Sequence, residues 1–211
     1  MIDPRIQKYA EAHSSEQSEL LYALYRETNL KIWNPRMISG QQQGRFLSLI
    51  SKMIQPHLIL EIGTYTGYSA LCLAEGLQPS GKLHTIEKDI ELESIASKYF
   101  KKANFEHQII QHFGDAQEII PKLNFRFDLI FIDANKDAYS TYYQLVFDKL
   151  NSGGFLLVDN VLWNGKVVEP LHKNDKDTAG ILAFNKLVQE DNRVENVLLP
   201  MRDGLMLVRK K

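Results

Sequence analysis

The chain has one cysteine, Cys72, in 211 residues. With no partner thiol it cannot form an internal disulfide, and a reducing cytoplasm is the expected compartment. An excess of charge is missing as well. The formal net charge of −1 removes the electrostatic case for gripping nucleic acid or an anionic membrane. No apolar run approaches the length of a membrane span, and Met1-Ile2-Asp3-Pro4-Arg5 lacks the apolar core of a signal peptide. Repeats and low-complexity segments are absent too, and Arg209-Lys210-Lys211 reads as a solvated end rather than a binding patch. What is present is ordinary for a globular protein: 44% hydrophobic and 24% charged residues. The expectation is one domain over residues 1–211, with N-terminal helices over about 1–55 as an addition.

Two helices come first. Ser14 stands three residues before Gln17, a capping-box spacing, and Leu20, Leu21, Leu24 and Tyr25 give the first helix an apolar face. After Asn34-Pro35 a second helix, roughly 40–55, presents Phe46, Leu47, Ile50 and Met53 and stops before Pro56. Strands and helices then alternate. Strands are expected at 58–61, 82–87, 107–112, 128–133 and 154–159, and helices at 68–76, 90–102, 115–123, 138–150 and 178–191. That rhythm, with near-continuous apolar strands, argues a doubly wound α/β fold, a mostly parallel sheet covered on both faces. Val194–Leu199 and Leu205–Val208 flank Met201-Arg202-Asp203-Gly204 and read as an antiparallel hairpin at the sheet edge.

The densest signal is Leu60-Glu61-Ile62-Gly63-Thr64-Tyr65-Thr66-Gly67-Tyr68-Ser69. A buried strand runs into a glycine-punctuated turn and then a helix start, the nucleotide-cofactor corner of a doubly wound sheet. A dinucleotide turn needs a middle glycine so that backbone can approach a pyrophosphate. Tyr65 holds that position, and its ring would fill the phosphate's place. The turn suits a nucleoside ligand without phosphate, of which S-adenosylmethionine is the common one.

Acids close the strands in order. Glu87 ends the second, where a carboxylate commonly holds both ribose hydroxyls; the run Glu87-Lys88-Asp89 also reads as a plain charged helix entrance, and the glycine turn upstream favours the ribose role. Glu61 ends the first, where burial is costly without partners. In Gly114-Asp115-Ala116-Gln117 a small residue and an amide are placed to edge an adenine, although Asp115 is equally a helix cap. Asp133 ends the fourth strand and Asp159-Asn160 the fifth. Strand ends of this kind open on one crevice. Three oxygen donors with two negative charges suit a hard divalent ion, Mg²⁺ first, and exclude structural zinc. A bare turn after the strand is the plainer account of Asp159-Asn160; the order of all three residues favours metal. Lys136, three residues past Asp133, would have its ammonium disfavoured beside a metal and a cationic cofactor, which suits a general base. Its neighbour Asp137 is the plain alternative partner. Trp163 is either a pocket wall for a flat substrate or a core residue.

Together these residues make the chain resemble the cation-dependent O-methyltransferases, the group of catechol and caffeoyl-coenzyme A methyltransferases. The similarity runs from about residue 35 to the C-terminus. It is carried by 61–69, by Phe131-Ile132-Asp133-Ala134-Asn135-Lys136, by Asp159-Asn160-Val161-Leu162-Trp163-Asn164-Gly165, and by Leu199-Pro200-Met201-Arg202-Asp203-Gly204-Leu205. The resemblance implies a seven-stranded Rossmann-like sheet with a reversed edge hairpin, the class I methyltransferase fold. It implies that Met37, Ser39, Glu61, Gly63, Thr64, Tyr65, Gly67, Ser69, Glu87, Ala116, Gln117 and Asp133 surround S-adenosylmethionine, with S-adenosylhomocysteine as product. Asp133, Asp159 and Asn160 would hold Mg²⁺, Lys136 would be the base, and a homodimer is expected. One departure stands out. The animal catechol enzymes set a glutamate against the second substrate hydroxyl, and 169–177 offers no clear counterpart.

The implied reaction moves a methyl group to one oxygen of a chelated vicinal pair, on a catechol or hydroxycinnamoyl small molecule. A tRNA 5-hydroxyuridine offers the same pair of oxygens, and Lys98, Lys101 and Lys102 are the residues placed to meet its phosphates. A dinucleotide-dependent oxidoreductase shares the fold and the acid at Glu87, but Tyr65 and the oxygen-ligand set argue against it. A silent scaffold would have no use for that set.

Overall fold

A computed structural model describes residues 3–211. Met1 and Ile2, part of the N-terminal stretch read above for a leader, lie outside the described residues. Seven strands form one sheet: β1 (Leu58–Ile62), β2 (Lys82–Glu87), β3 (Ile109–Phe113), β4 (Phe127–Ile132), β5 (Leu150–Asp159), β6 (Val194–Leu199) and β7 (Leu205–Lys210). Their order across the sheet is β3-β2-β1-β4-β5-β7-β6. The expected alternation of strand and helix is therefore realised as a mixed α/β sheet. The hairpin is more specific than expected. Its second strand, β7, lies antiparallel between β5 and β6, so the outermost strand is β6 rather than the chain's last one.

Eight α-helices accompany the strands among the described residues: α1 (Pro4–Ala12), α2 (Glu19–Lys31), α3 (Gly40–Ile54), α4 (Tyr68–Ala74), α5 (Glu93–Lys102), α6 (Ala116–Ile119), α7 (Tyr139–Phe147) and α8 (Lys176–Gln189). None is long and apolar enough to cross a membrane. The chain divides into two compact units, residues 3–59 with 63–115, and residues 60–62 with 116–211.

In the first unit, the helix start is corrected. Ser18, not Ser14, caps α2, accepting from the Leu21 N–H, while the Ser14 hydroxyl donates back to the Ala10 carbonyl at the end of α1. Leu21, Leu24 and Thr28 are the buried face of α2, and Tyr25 is exposed. The packed face of α3 is also rotated from the expected one. Gln43, Gly44, Leu47, Ser48 and Ser51 are buried, whereas Leu49 and Met53 are exposed. The cause is steric: a Cβ on Gly44 would lie 2.6 Å from the Tyr68 ring, so α3 meets α4 through its small residues. The strand pair β2–β3 is parallel, with Ile86 opposite His112.

The second unit is built on β4 and β5. They are parallel, and Ile132 is the register partner of Val158. The core here is Phe127, Leu129–Ile132, Leu156–Val158, Tyr139, Tyr143, Ile181 and Phe184, all at most 2% exposed. The expected helix 115–123 is α6 followed by a 3-10 turn, Ile120–Lys122, because Pro121 cannot donate an interior helix bond.

Candidate active site

The first unit carries the glycine turn and its acid. Gly63 adopts φ 103°, and its N–H and that of Thr64 both donate to the Ile86 carbonyl. Thr64 is buried and its hydroxyl meets that of Thr85 on β2. These bonds tie the turn to the second strand. Tyr65 turns through a positive φ of 49°, and its N–H donates to Glu87 Oε2 at 2.7 Å. Glu87 Oε1 accepts from the Lys88 and Asp89 N–H groups at 2.8 and 3.0 Å. Three backbone donors thus hold one carboxylate in a single orientation at the end of β2. The Tyr65 ring reaches away to the segment before α3, its hydroxyl lying 3.3 Å from the Asn34 carbonyl and 3.5 Å from that of Trp33. Burial pushes the phenol's pKa up. Gly67, at φ 89°, opens α4, and a Cβ there would lie 2.6 Å from the Phe100 ring. Ser69 and Ser39 are buried, while Met37, in the 3-10 turn Pro35–Met37, is exposed.

The second unit carries the acids of β4 and β5. Glu61 is fully buried at the end of β1. Asp133 follows β4, its N–H donating to the Ile62 carbonyl at 2.9 Å. Asp159, 4% exposed, ends β5. Since Ile132 pairs with Val158, the two aspartates occupy the next register position on neighbouring strands, about 5 Å apart in backbone. Their fields meet at Tyr139. The hydroxyl of that buried residue donates to the Asp159 carbonyl at 2.9 Å. Burial first, and then the charges of Asp133 and Asp159, drive its pKa well up.

Lys136 Nζ lies 2.7 Å from Asp133 Oδ1. The ion-pair partner is therefore Asp133, not Asp137. The same ammonium lies 5.3 Å from the centre of the Tyr139 ring and 5.9 Å from that of Trp163, which places Trp163 beside the lysine. Helix α8 sets the lysine's backbone: a Cβ on Gly180 would stand 2.6 Å from the Lys136 carbonyl oxygen. Ala116 is buried at the start of α6 and Gln117 is exposed.

The donor chemistry fits a hard cation. Asp133, Asp159 and Asn160 offer oxygen only, from neighbouring strand ends, and a positive charge already rests on Asp133. Among the described residues no three His, Cys, Asp or Glu side chains gather as a metal cluster. Of the lysines named for phosphate, two have partners within the chain. Lys98 pairs with Glu27 at 2.6 Å, and both Lys98 and Lys102 lie over the Tyr99 ring.

One contributor escaped sequence reasoning. Asp203, in the turn between β6 and β7, accepts from the Asn164 N–H and lies 3.5 Å from Asn160 Nδ2. Only the fold brings residues 160 and 203 together.

Residues 11–211 match the model of a family described as O-methyltransferase. A caffeoyl-CoA O-methyltransferase of Eucalyptus globulus is 35% identical over 189 residues, 84% of this chain and 76% of its own. Among solved structures, TomG, an O-methyltransferase of Streptomyces achromogenes involved in tomaymycin synthesis, was crystallised with S-adenosylmethionine. It aligns with a TM-score of 0.91 at 28% identity, over 100% of this chain and 99% of its own. The O-methyltransferase of Bacillus cereus in complex with S-adenosylhomocysteine aligns with a TM-score of 0.91 at 26% identity, over 98% and 97%.

Proposed function

The chain belongs to the O-methyltransferase family, and from that premise we propose methyl transfer from S-adenosylmethionine to one oxygen of a vicinal oxygen pair, assisted by a divalent cation. The oxidoreductase alternative falls to the family match. The reading rests above all on one observation: Asp133 and Asp159 follow paired positions of adjacent strands, with Lys136 against the first of them.

Asp133, Asp159 and Asn160 would hold the ion, Mg²⁺ first. Once bound, the ion supplies Lewis acidity to the two acceptor oxygens. Lys136, which lies against Asp133, would act in its neutral form, its ammonium having first given a proton to water; the amine would then take the acceptor hydroxyl's proton onto Nζ. Glu87, oriented by its three backbone donors, receives the ribose hydroxyls. Met37, Ser39, Glu61, Gly63, Thr64, Tyr65, Gly67, Ser69, Ala116, Gln117 and Asp133 are the remaining residues proposed to surround the methyl donor. Fixed positions for donor and acceptor would supply much of the acceleration.

A small catechol or hydroxycinnamoyl acceptor suits a chain of net charge −1. The proposed compartment is the cytoplasm, on the lone buried thiol. A homodimer is proposed because Leu30, Trp33, Leu49 and Met53 leave apolar surface exposed. The deciding experiment offers vicinal diols, and tRNA with and without wobble hydroxylation, to the purified protein in Mg²⁺ or EDTA. Mg²⁺-dependent methylation of a diol is the expected result. Methylation of hydroxylated tRNA alone would move the assignment to tRNA, and full activity in EDTA would remove the metal.

A further inference from the structure

The loop after β5 is unusual. Asn160, Trp163, Asn164 and Gly165 all take positive φ, at 60°, 46°, 53° and 81°. Such a backbone persists only when its surroundings over-determine it. Here the β6–β7 turn does so. The Val161 N–H donates to the Gly204 carbonyl at 3.2 Å and the Leu162 N–H to the Asp203 carbonyl at 2.8 Å. The Asn164 N–H donates to Asp203 Oδ1, and α8 adds Asn185, whose Nδ2 donates to the Val161 carbonyl at 2.9 Å.

Asp203 also faces the proposed ligand itself. Its Oδ2 lies 3.5 Å from Asn160 Nδ2. A carboxylate can only accept, so the amide atom turned toward it must be the NH₂ group. The Asn160 carbonyl oxygen, the only atom of that side chain able to bind a cation, is thereby turned the other way. We propose that Asp203 is a positioning residue. It holds the strained loop in place and sets the orientation of the Asn160 amide, so that oxygen rather than nitrogen is presented beside Asp159. This rests on the reading of Asp133, Asp159 and Asn160 as the metal site. It adds a residue 43 positions away in sequence that would tune the site without touching the ion.

The probe is Mn²⁺, with free ion counted by its electron paramagnetic resonance signal against purified full-length protein. Asp203→Ala should weaken Mn²⁺ binding roughly 10–100-fold, the usual cost of losing an outer partner of a ligand. Asp203→Asn is the sharper variant. Its oxygen can still accept from the Asn164 N–H, so the melting temperature should stay close to wild type. Its NH₂ would then face the Asn160 NH₂ and drive that amide to flip, so Mn²⁺ binding should remain about as weak as in Asp203→Ala. A merely structural aspartate would instead be rescued in both readouts. Adding Asn160→Ala to Asp203→Ala should weaken binding no further than Asn160→Ala alone, and S-adenosylhomocysteine affinity should stay within about twofold throughout. Wild-type Mn²⁺ affinity in Asp203→Asn, or additive losses in the double variant, would overturn the proposal. If the wild-type protein binds S-adenosylhomocysteine but no Mn²⁺, the metal reading itself falls and takes this one with it.

Discussion

Glu87 illustrates how a single side chain acquires a role from the donors around it. One oxygen takes two N–H groups and the other takes that of Tyr65, so the carboxylate is both oriented and acceptor-only. In Glu87→Gln one of those donors would confront an NH₂. With its charge gone and a donor opposed, S-adenosylhomocysteine affinity measured by calorimetry should fall roughly tenfold to a hundredfold. Lys136 should behave in the opposite way. Lys136→Ala removes the proposed proton acceptor but no donor to the cofactor, so turnover should drop roughly 10²–10⁴-fold while that affinity holds. Equal losses in both measurements would assign Lys136 to binding.

At the level of elements, most of the fold was legible, because apolar runs bounded by glycine and acids announce buried strands. β2 and β6 match their expected bounds, and the other strands begin or end within a few residues of theirs. What stayed hidden depended on long-range fit. The sequence around Ser14 has a good capping pattern, yet Ser18 caps α2 because α1 already claims Ser14. The buried row of α3 joins Leu47 to Gln43, Gly44, Ser48 and Ser51 rather than to the other apolar residues, since α4 approaches too closely at Gly44 for a side chain. Two glycines make such approaches testable. Gly67→Ala would combine a φ of 89° with a Cβ 2.6 Å from Phe100, and should cost about 2 kcal/mol or more in urea unfolding. Gly180→Ala would press α8 on the Lys136 carbonyl, and should lower turnover more than cofactor affinity. An unchanged turnover would show that the lysine's backbone has room to adjust.

The whole molecule carries an acid sensitivity written in a buried and a half-buried histidine. His84 and His112 face each other across β2 and β3, with ring nitrogens 2.9 Å apart. Burial first, then the charges of His112 and Lys82, pulls His84 down to about 4, and burial lowers His112 as well. Above the ordinary histidine value neither folded nor unfolded chain binds a proton here. Below it the unfolded chain does and the folded chain resists, so stability falls as pH drops from about 6.5 toward 4. Glu75 adds a later loss. Burial opposes its charge, but hydrogen bonds from Arg45, Lys52 and Ser48 outweigh burial and hold it to about 2. Its contribution is full above about 4.5 and disappears as pH falls through 2. Melting temperature should therefore decline steadily below pH 6.5, and His84→Asn should flatten the part between 6.5 and 4.5. The candidate site was legible to the same degree as the strands that end in it. Asp133, Asp159, Asn160 and Glu87 stand at predictable strand ends and Lys136 just past one, whereas Asp203 lies in a stretch that resembles the family but gives no sign of a partner 43 residues away.

The position of β7 also dictates an order of events. β6 leaves the ribosome before β7 but cannot join the sheet until β7 has docked on β5. Throughout that wait β5 presents an unpaired edge, the kind of surface on which nascent chains stick to one another. The loop after β5 is then held only by Asn185 of α8, because the rest of its clamp belongs to the same late hairpin. Catalytic competence would thus be among the last properties the newborn chain acquires, and agents that trap it early should yield aggregates rather than weak enzyme.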